Sequence, residues 1–562
     1  MNNRTISFVR LLTLLLMLTP ALSSGQAVFQ HVSHTSIYEF LDEMANLKII
    51  ELNSAIKPYT RKFISQQLVI IETAKEELNQ RQQQELSFFM KEYSKELDKS
   101  RQTDYVFHNW FGKNRVKFSE RQKRPDLFYW SDSVFNFTVN PILGAEFWSN
   151  DSGTVYHRWN GAEMFFTAYN HIGVYANLRD NYESKNISGP SYLTQITGGG
   201  FKAPTYGFSD RDAVEYSEMR GGITYGWKWG YVGVIKEHNV WGNNYHGSNI
   251  FSDRNPSFAQ LKLQMKPVSW LELNYFHGWL SSKVIDSSRT PNTPQGGADQ
   301  VFVPKYLAAN MITVRPVHNF FISIGNSIVY AYDLNAAYFI PVMFFKSLDH
   351  TYSSLGNSQL FFDISSRNIK KCHIYSTLFM DELSFGRIFN KNYTHRWSGK
   401  FGVKVSDVIP NVSVTAEYTR SDVLTYQHYN PVTTFTSTEY NLGNYLRDNS
   451  QEIFLDLTWK PLPKLSAAVQ FNYATKGPEY PDDRDAIDPN TGEEAILSLP
   501  FQETIVWKNT SIAFETKYEL VNDLIVKLRL DYSDVRDDTG VFSPGRFTGK
   551  QLMVNTMITF GF

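Results

Sequence analysis

From about residue 131 to the C-terminus, apolar and polar residues alternate with period two, the pattern of strands that bury one face. Ile453, Leu455, Leu457 and Trp459 alternate with Phe454, Asp456, Thr458 and Lys460. Pro461 to Lys464 make a tight turn, and Leu465, Ala467, Val469, Phe471 and Tyr473 continue the row. The design returns at Ile512, Phe514, Thr516, Tyr518 and Leu520, turns at Val521 to Asp523, and resumes through Leu524, Val526, Leu528, Leu530 and Tyr532. Similar pairs surround Pro410-Asn411 and Pro267. Such runs number about eighteen, an even count within the range of single-chain bacterial barrels. Short turns join them at one end. Polar loops near 184–212, 239–256, 283–304, 331–354, 421–447 and 475–503 join them at the other. The fold expected is therefore an all-β transmembrane barrel over 131–562, with extracellular long loops.

The opposite rows carry Lys404, Glu417, Asp456, Glu515, Lys527, Arg529 and Asp531. An Arg or Lys facing mid-bilayer costs ~2–4 kcal/mol, so these charges are expected to face the lumen. The last strand (Leu552, Val554, Thr556, Ile558, Phe560, Phe562) ends the chain on Phe562. That ending resembles the signal read by the barrel-insertion machinery of Gram-negative bacteria, which together with outer-membrane lipid is an expected partner.

Ahead of the barrel the period changes. Residues 27–100 show helical stripes: Ile37, Phe40, Leu41, Met44 and Leu47; then Ile64, Leu68, Ile71 and Leu78; then Leu86, Phe89, Met90, Tyr93 and Leu97. Ser36 with Glu39 reads as a capping box, and Pro58 as the first turn of the second helix. A small periplasmic α-helical domain is expected there, followed by a basic linker over 101–130. Residues 1–26 read as a secretory signal peptide: Arg4 and Arg10, an apolar run from Leu11 to Leu18, Pro20, then small residues, with cleavage between Gly25 and Ala27. No Cys follows that run, which excludes a lipoprotein anchor.

Composition adds little beyond this. Aromatic residues make up 15%, as strands and membrane interfaces favour. The net charge of -1 gives no basic footprint for nucleic acid, and a single Cys372 forms neither an internal disulfide nor a multi-Cys metal site.

Two stretches are similar to the capsule-assembly Wzi family of outer-membrane proteins. The first is Ile37-Tyr38-Glu39-Phe40-Leu41-Asp42-Glu43-Met44-Ala45 with Lys57-Pro58-Tyr59-Thr60-Arg61. The second runs from Asn255-Pro256-Ser257-Phe258 through Pro267-Val268-Ser269-Trp270-Leu271-Glu272 to His277-Gly278-Trp279-Leu280. The order of helical domain then barrel also matches. The resemblance implies a non-enzymatic surface lectin that helps attach capsular polysaccharide, without a cofactor.

Candidate chemistry is sparse. Trp241, Asn243, Asn244, Tyr245 and His246 stand in an expected external loop. Aromatic faces stack on sugar C–H surfaces, and amides donate to and accept from hydroxyls. The alternative is a Gly/Asn-rich loop packed back into the lumen. Asp483, Asp485 and Asp488 lie in an acidic loop whose oxygens suit a hard cation, although Pro489 and Gly492 fall at the wrong offsets for a calcium loop and a surface turn reads better. Gly198-Gly199-Gly200, with Lys202, Arg211 and Arg220, lacks the following helix of a phosphate loop. Neither G-x-S-x-G nor H-E-x-x-H occurs. A surface-polysaccharide lectin therefore leads, with a porin-like channel and a barrel-embedded hydrolase as alternatives.

Overall fold

The computed structural model describes residues 27–97, 102–105, 126–132, 134–194, 203–204, 213–291, 300–352, 356–382, 394–487 and 494–561. The expected signal peptide and Phe562 lie outside them. Eighteen long strands among the described residues close one antiparallel barrel. They are β1 (Phe135–Asn150), β2 (Gly153–Ala168), β3 (Ile172–Glu183), β4 (Val214–Trp227), β5 (Gly230–Glu237), β6 (Phe258–Val268), β7 (Leu271–Leu280), β8 (Lys305–Val317) and β9 (Phe320–Ala331). The second half comprises β10 (Asn357–Ser366), β11 (Cys372–Glu382), β12 (Arg396–Val405), β13 (Val412–Ser421), β14 (Ser450–Leu462), β15 (Leu465–Lys476), β16 (Trp507–Val521), β17 (Leu524–Asp537) and β18 (Gly549–Phe560). Closure pairs β18 with β1, Phe560 opposite Leu143 and Val554 opposite Ser149.

The alternation expected from sequence is the physical basis of this wall. Leu457, Val469, Phe514, Leu530 and Val554 stand side by side on five successive strands. All are 36–47% exposed, so an apolar ring faces outward. One residue away, Asp456, Gln470, Ala513 and Asp531 form the inner row. Asn319, Asn411, Lys464 and Asp523 take positive φ in the short turns; Asn and Asp tolerate that region well.

Helices α1 (Thr35–Asn46), α2 (Arg61–Thr73) and α3 (Gln80–Tyr93) pack around Phe40, Leu41, Met44, Ile64, Leu68, Leu86 and Phe89. Their starts differ from expectation. His34 precedes α1 without a side-chain cap, and Glu39 instead pairs with barrel Lys517 at 2.9 Å. Pro58 lies outside α2, which Thr60 caps by accepting from the Phe63 N–H at 3.1 Å. The capping box belongs to α3, through Asn79 and Gln82.

This domain sits on the short-turn end of the barrel, bonded to its turns. His34 meets Asp523 at 2.8 Å, Asn46 donates to Ser406 at 2.8 Å, and Arg81 donates to Asn411 at 2.8 Å. Two extended pieces continue into the lumen. Phe29 packs on Tyr175 and Tyr231, and Ile56-Lys57 pair with Val240-Trp241 as a two-stranded ladder. The long loops 238–257 and 422–449 also fold inward, building an aromatic core from Trp241, Phe251, Phe276, Phe361 and Phe435.

Two further segments depart from the sequence reading. Within the expected linker, Gln102–Tyr105 and Phe128–Ser131 pair as strands, and the second extends along β1. The described part of the expected polar loop 331–354 lies against the barrel's outer wall. Its helix α4 (Phe345–Tyr352) and Tyr338 pack there on Tyr275, Ile328 and Tyr330. Tyr275 shares its row with exposed Trp279, whereas Phe276 faces the lumen core. The reason is polar: Asn310 and Asn326 on this face donate to the Met343 carbonyl at 2.8 and 3.2 Å. No helix among the described residues is long and apolar enough to cross a membrane.

Candidate functional site

The half of the lumen not filled by aromatic core holds a cavity of about 730 Å³. Its floor is the helical domain, at His31, Thr35, Glu39 and Asp42. β1–β4 and β15–β18 supply most of the wall, and the lining reaches Ser188 and Phe547 in the long loops.

Inward-facing charges come from neighbouring strands and therefore pair. Arg529 meets Glu515 at 3.3 Å and Asp531 at 3.0 Å. Lys527 meets Glu146 at 2.8 Å, and Arg179 meets Glu218 at 3.0 Å. The lining is thus densely polar but close to balanced, which suits a hydroxyl-rich ligand better than a bare ion.

Among these groups sits an aromatic platform. Trp159 on β2 lies over Gly144 on β1, where an added Cβ would stand 2.2 Å from the indole ring. The Arg179 guanidinium is 5.8 Å from the Trp159 ring and His157 is 4.8 Å away. Several buried polar atoms on cavity-lining residues have no protein partner: Trp159 Nε1, Arg179 Nε, Asn509 Oδ1 and Asp531 Oδ1. A buried polar atom left unpaired costs about 1–3 kcal/mol. An aromatic face ringed by donors and acceptors is the chemistry of sugar recognition.

The helical domain is anchored to this cavity electrostatically. Burial would raise the Asp42 carboxyl, but Lys404 at 3.1 Å and Arg367 at 2.7 Å hold it well below the usual carboxylate range. Glu43 is likewise brought down to about 2 against its burial, by Lys460 and Arg81. Burial, reinforced by Arg220, lowers the His31 ring well below its ordinary value.

The residues singled out from sequence divide. Trp241 is fully buried in the aromatic core, 5.1 Å from Phe276. Asn243 is buried, donating to Asp363 at 2.7 Å and accepting from Ser54 at 2.7 Å. The expected external loop is thus corrected to a segment turned into the lumen, because Trp241, Ile250 and Phe251 bury together there. Asn244, Tyr245 and His246 do line the cavity. The Tyr245 hydroxyl reaches Asp42 at 2.9 Å and His373 at 2.7 Å, and the His246 ring stacks on Phe454 at 3.9 Å.

Of the acidic loop, Asp483 and Asp485 are exposed, and Asp483 accepts the Asp485 N–H at 3.1 Å. Neighbouring Asp482 is held by Arg396 at 2.8 Å. Asp488, the Gly198–Gly200 stretch, Lys202 and Arg211 lie outside the described residues. Among the described residues, ligand atoms of three metal-binding side chains converge instead at His31, Glu237 and His238. Trp159, Arg179, Asn509 and Asp531 were not singled out from sequence. They share no motif, and only barrel closure brings β2, β3, β16 and β17 around one space.

Neither a protein-family model nor a curated protein matches the sequence. The fold is a different matter. From end to end it resembles Wzi. That Escherichia coli protein, described as an outer membrane protein involved in group 1 capsule assembly and as a carbohydrate-binding β-barrel, superposes with a TM-score of 0.54. Identity is 11%, over 96% of this chain and 99% of that one. Two Pseudomonas aeruginosa outer-membrane barrels align over 75% of this chain. OccK3 does so at 10% identity over 95% of its own chain with a TM-score of 0.41, and OprD at 10% identity over 92% with 0.39.

Proposed function

We propose that the protein is a non-enzymatic outer-membrane barrel that binds surface or capsular polysaccharide and helps hold it on the cell. The helical domain then lies in the periplasm and the long loops outside. One observation carries the reading: the lumen cavity is floored by the helical domain, which is bonded to the short turns, so a ligand entering between the long loops meets that floor. The balanced polar lining around Trp159 suits a hydroxyl-rich ligand, and the fold shared with a carbohydrate-binding barrel agrees with it.

Deleting the gene is expected to release capsule into the medium while polymer synthesis continues; unchanged cell-bound capsule counts against the proposal. The polar, charge-lined cavity also suits a porin-like channel, which needs a continuous aqueous path. A large, stable conductance of the intact protein in planar bilayers would favour that second reading.

A further inference from the structure

At the seam between the N-terminal segment 27–34 and the end of β5, three potential ligand atoms converge. His31 Nε2 is 3.0 Å from His238 Nδ1 and 3.8 Å from Glu237 Oε1, and His238 Nδ1 is 3.7 Å from the same oxygen. A triangle with these sides has a circumradius of about 2.0 Å, and Zn–N and Zn–O bonds are ~2.0–2.2 Å. One ion seated just off its plane, toward the cavity, would reach all three atoms at about 2.2 Å without moving them. The side chains are 15%, 1% and 7% exposed, so the site is built into the wall rather than assembled on a flexible surface.

The surrounding hydrogen bonds orient the ligands. The His238 Nε2–H donates to the Asn255 carbonyl at 3.0 Å, which leaves the Nδ1 lone pair facing His31. Glu237 accepts from the Tyr175 hydroxyl through its other oxygen at 3.3 Å. His31 Nδ1 lies 2.6 Å from the Ser33 hydroxyl. Such outer partners are what fix tautomer and ring direction at metal sites.

We propose that His31, Glu237 and His238 bind one Zn²⁺ ion that clips the N-terminal segment to the barrel wall. The ion takes the place of the single proton shared between the two rings. His31 changes tautomer to do so: the proton leaves Nε2 and one is taken up at Nδ1, which then donates to Ser33 Oγ at 2.6 Å in place of accepting the Ser33 N–H at 3.2 Å. Both histidines line the cavity, so a water completes the tetrahedron from that side. Arg220, 3.7 Å from the same Glu237 oxygen, shares the carboxylate with the ion and weakens its hold. Glu218, 3.8 Å from His238, adds compensating negative charge.

The test uses untagged full-length mature protein, purified in detergent and stripped with a chelator, then titrated with Co²⁺ and Zn²⁺. One equivalent of Co²⁺ should give the intense visible absorption of a four-coordinate ion, lost on adding Zn²⁺. His31→Ala and Glu237→Gln should each weaken Zn²⁺ binding roughly tenfold or more, with heat-modifiable gel mobility reporting an intact barrel. The cobalt spectrum needs no variant, so it decides the matter even where a substitution impairs folding. A weak six-coordinate spectrum, no stoichiometric Zn²⁺ binding, or equal affinity in both folded variants overturns the site.

Discussion

Asp42 joins the helical domain to the barrel through a fully buried guanidinium. Arg367 donates to Asp42, to Asn46 Oδ1, to the Leu52 carbonyl and to Ser54 Oγ. Removing one partner of a buried pair leaves a charge uncompensated, typically at a cost of ~3–5 kcal/mol. Asp42→Asn should therefore loosen the domain by about that much, read as faster trypsin cleavage within 27–97 while the barrel survives. Acid should act in the same direction. Asp42 and Glu43 have depressed folded pKa values, so their contribution is complete above the unfolded carboxylate range near ~4. It is lost as pH falls toward the Glu43 value of about 2. Bilayer conductance should rise over that interval and fall again on neutralisation; conductance unchanged down to the bottom of the range contradicts the argument. In the cavity, Trp159→Ala should weaken binding of purified capsular polysaccharide about tenfold. Gly144→Ala should do likewise by displacing the indole that lies over it.

At the scale of elements, period-two alternation was enough to place the strands, because lipid on one face and charge on the other leave few exceptions. The Leu457–Val554 ring and the Asp456–Asp531 row lie where the pattern put them. What the alternation does not encode is where a loop goes. Residues 241–251 read as a polar loop with stray aromatics, and those aromatics are the reason it buries. Residues 336–352 cover asparagines on the outer wall whose orientation is known only once the register is known. Trp159, Arg179, Asn509 and Asp531 converge through closure of the cylinder and carry no local signature. For the helical domain, the element-level expectation is simple: deleting 27–97 should raise the conductance in planar bilayers. A deletion protein that folds and stays closed would show that the loops, not the helices, block the lumen.

For the whole molecule, the outward apolar ring sets how the barrel meets a bilayer. Leu530→Arg should destabilise the inserted state by ~2–4 kcal/mol, measured by urea titration of refolding into vesicles. A polar exchange at the inward neighbour Asp531, such as Asp531→Asn, should cost far less. The seat of the helical domain bears on assembly. Its contacts join partners as far apart as His34 and Asp523, 489 residues along the chain. Ordering so distant a pair is slow, because a long loop must close before any contact rewards it. The helical segment, made ahead of the wall, is thus among the last parts to find its place, and it waits unfinished until the final hairpin brings Asp523 to His34.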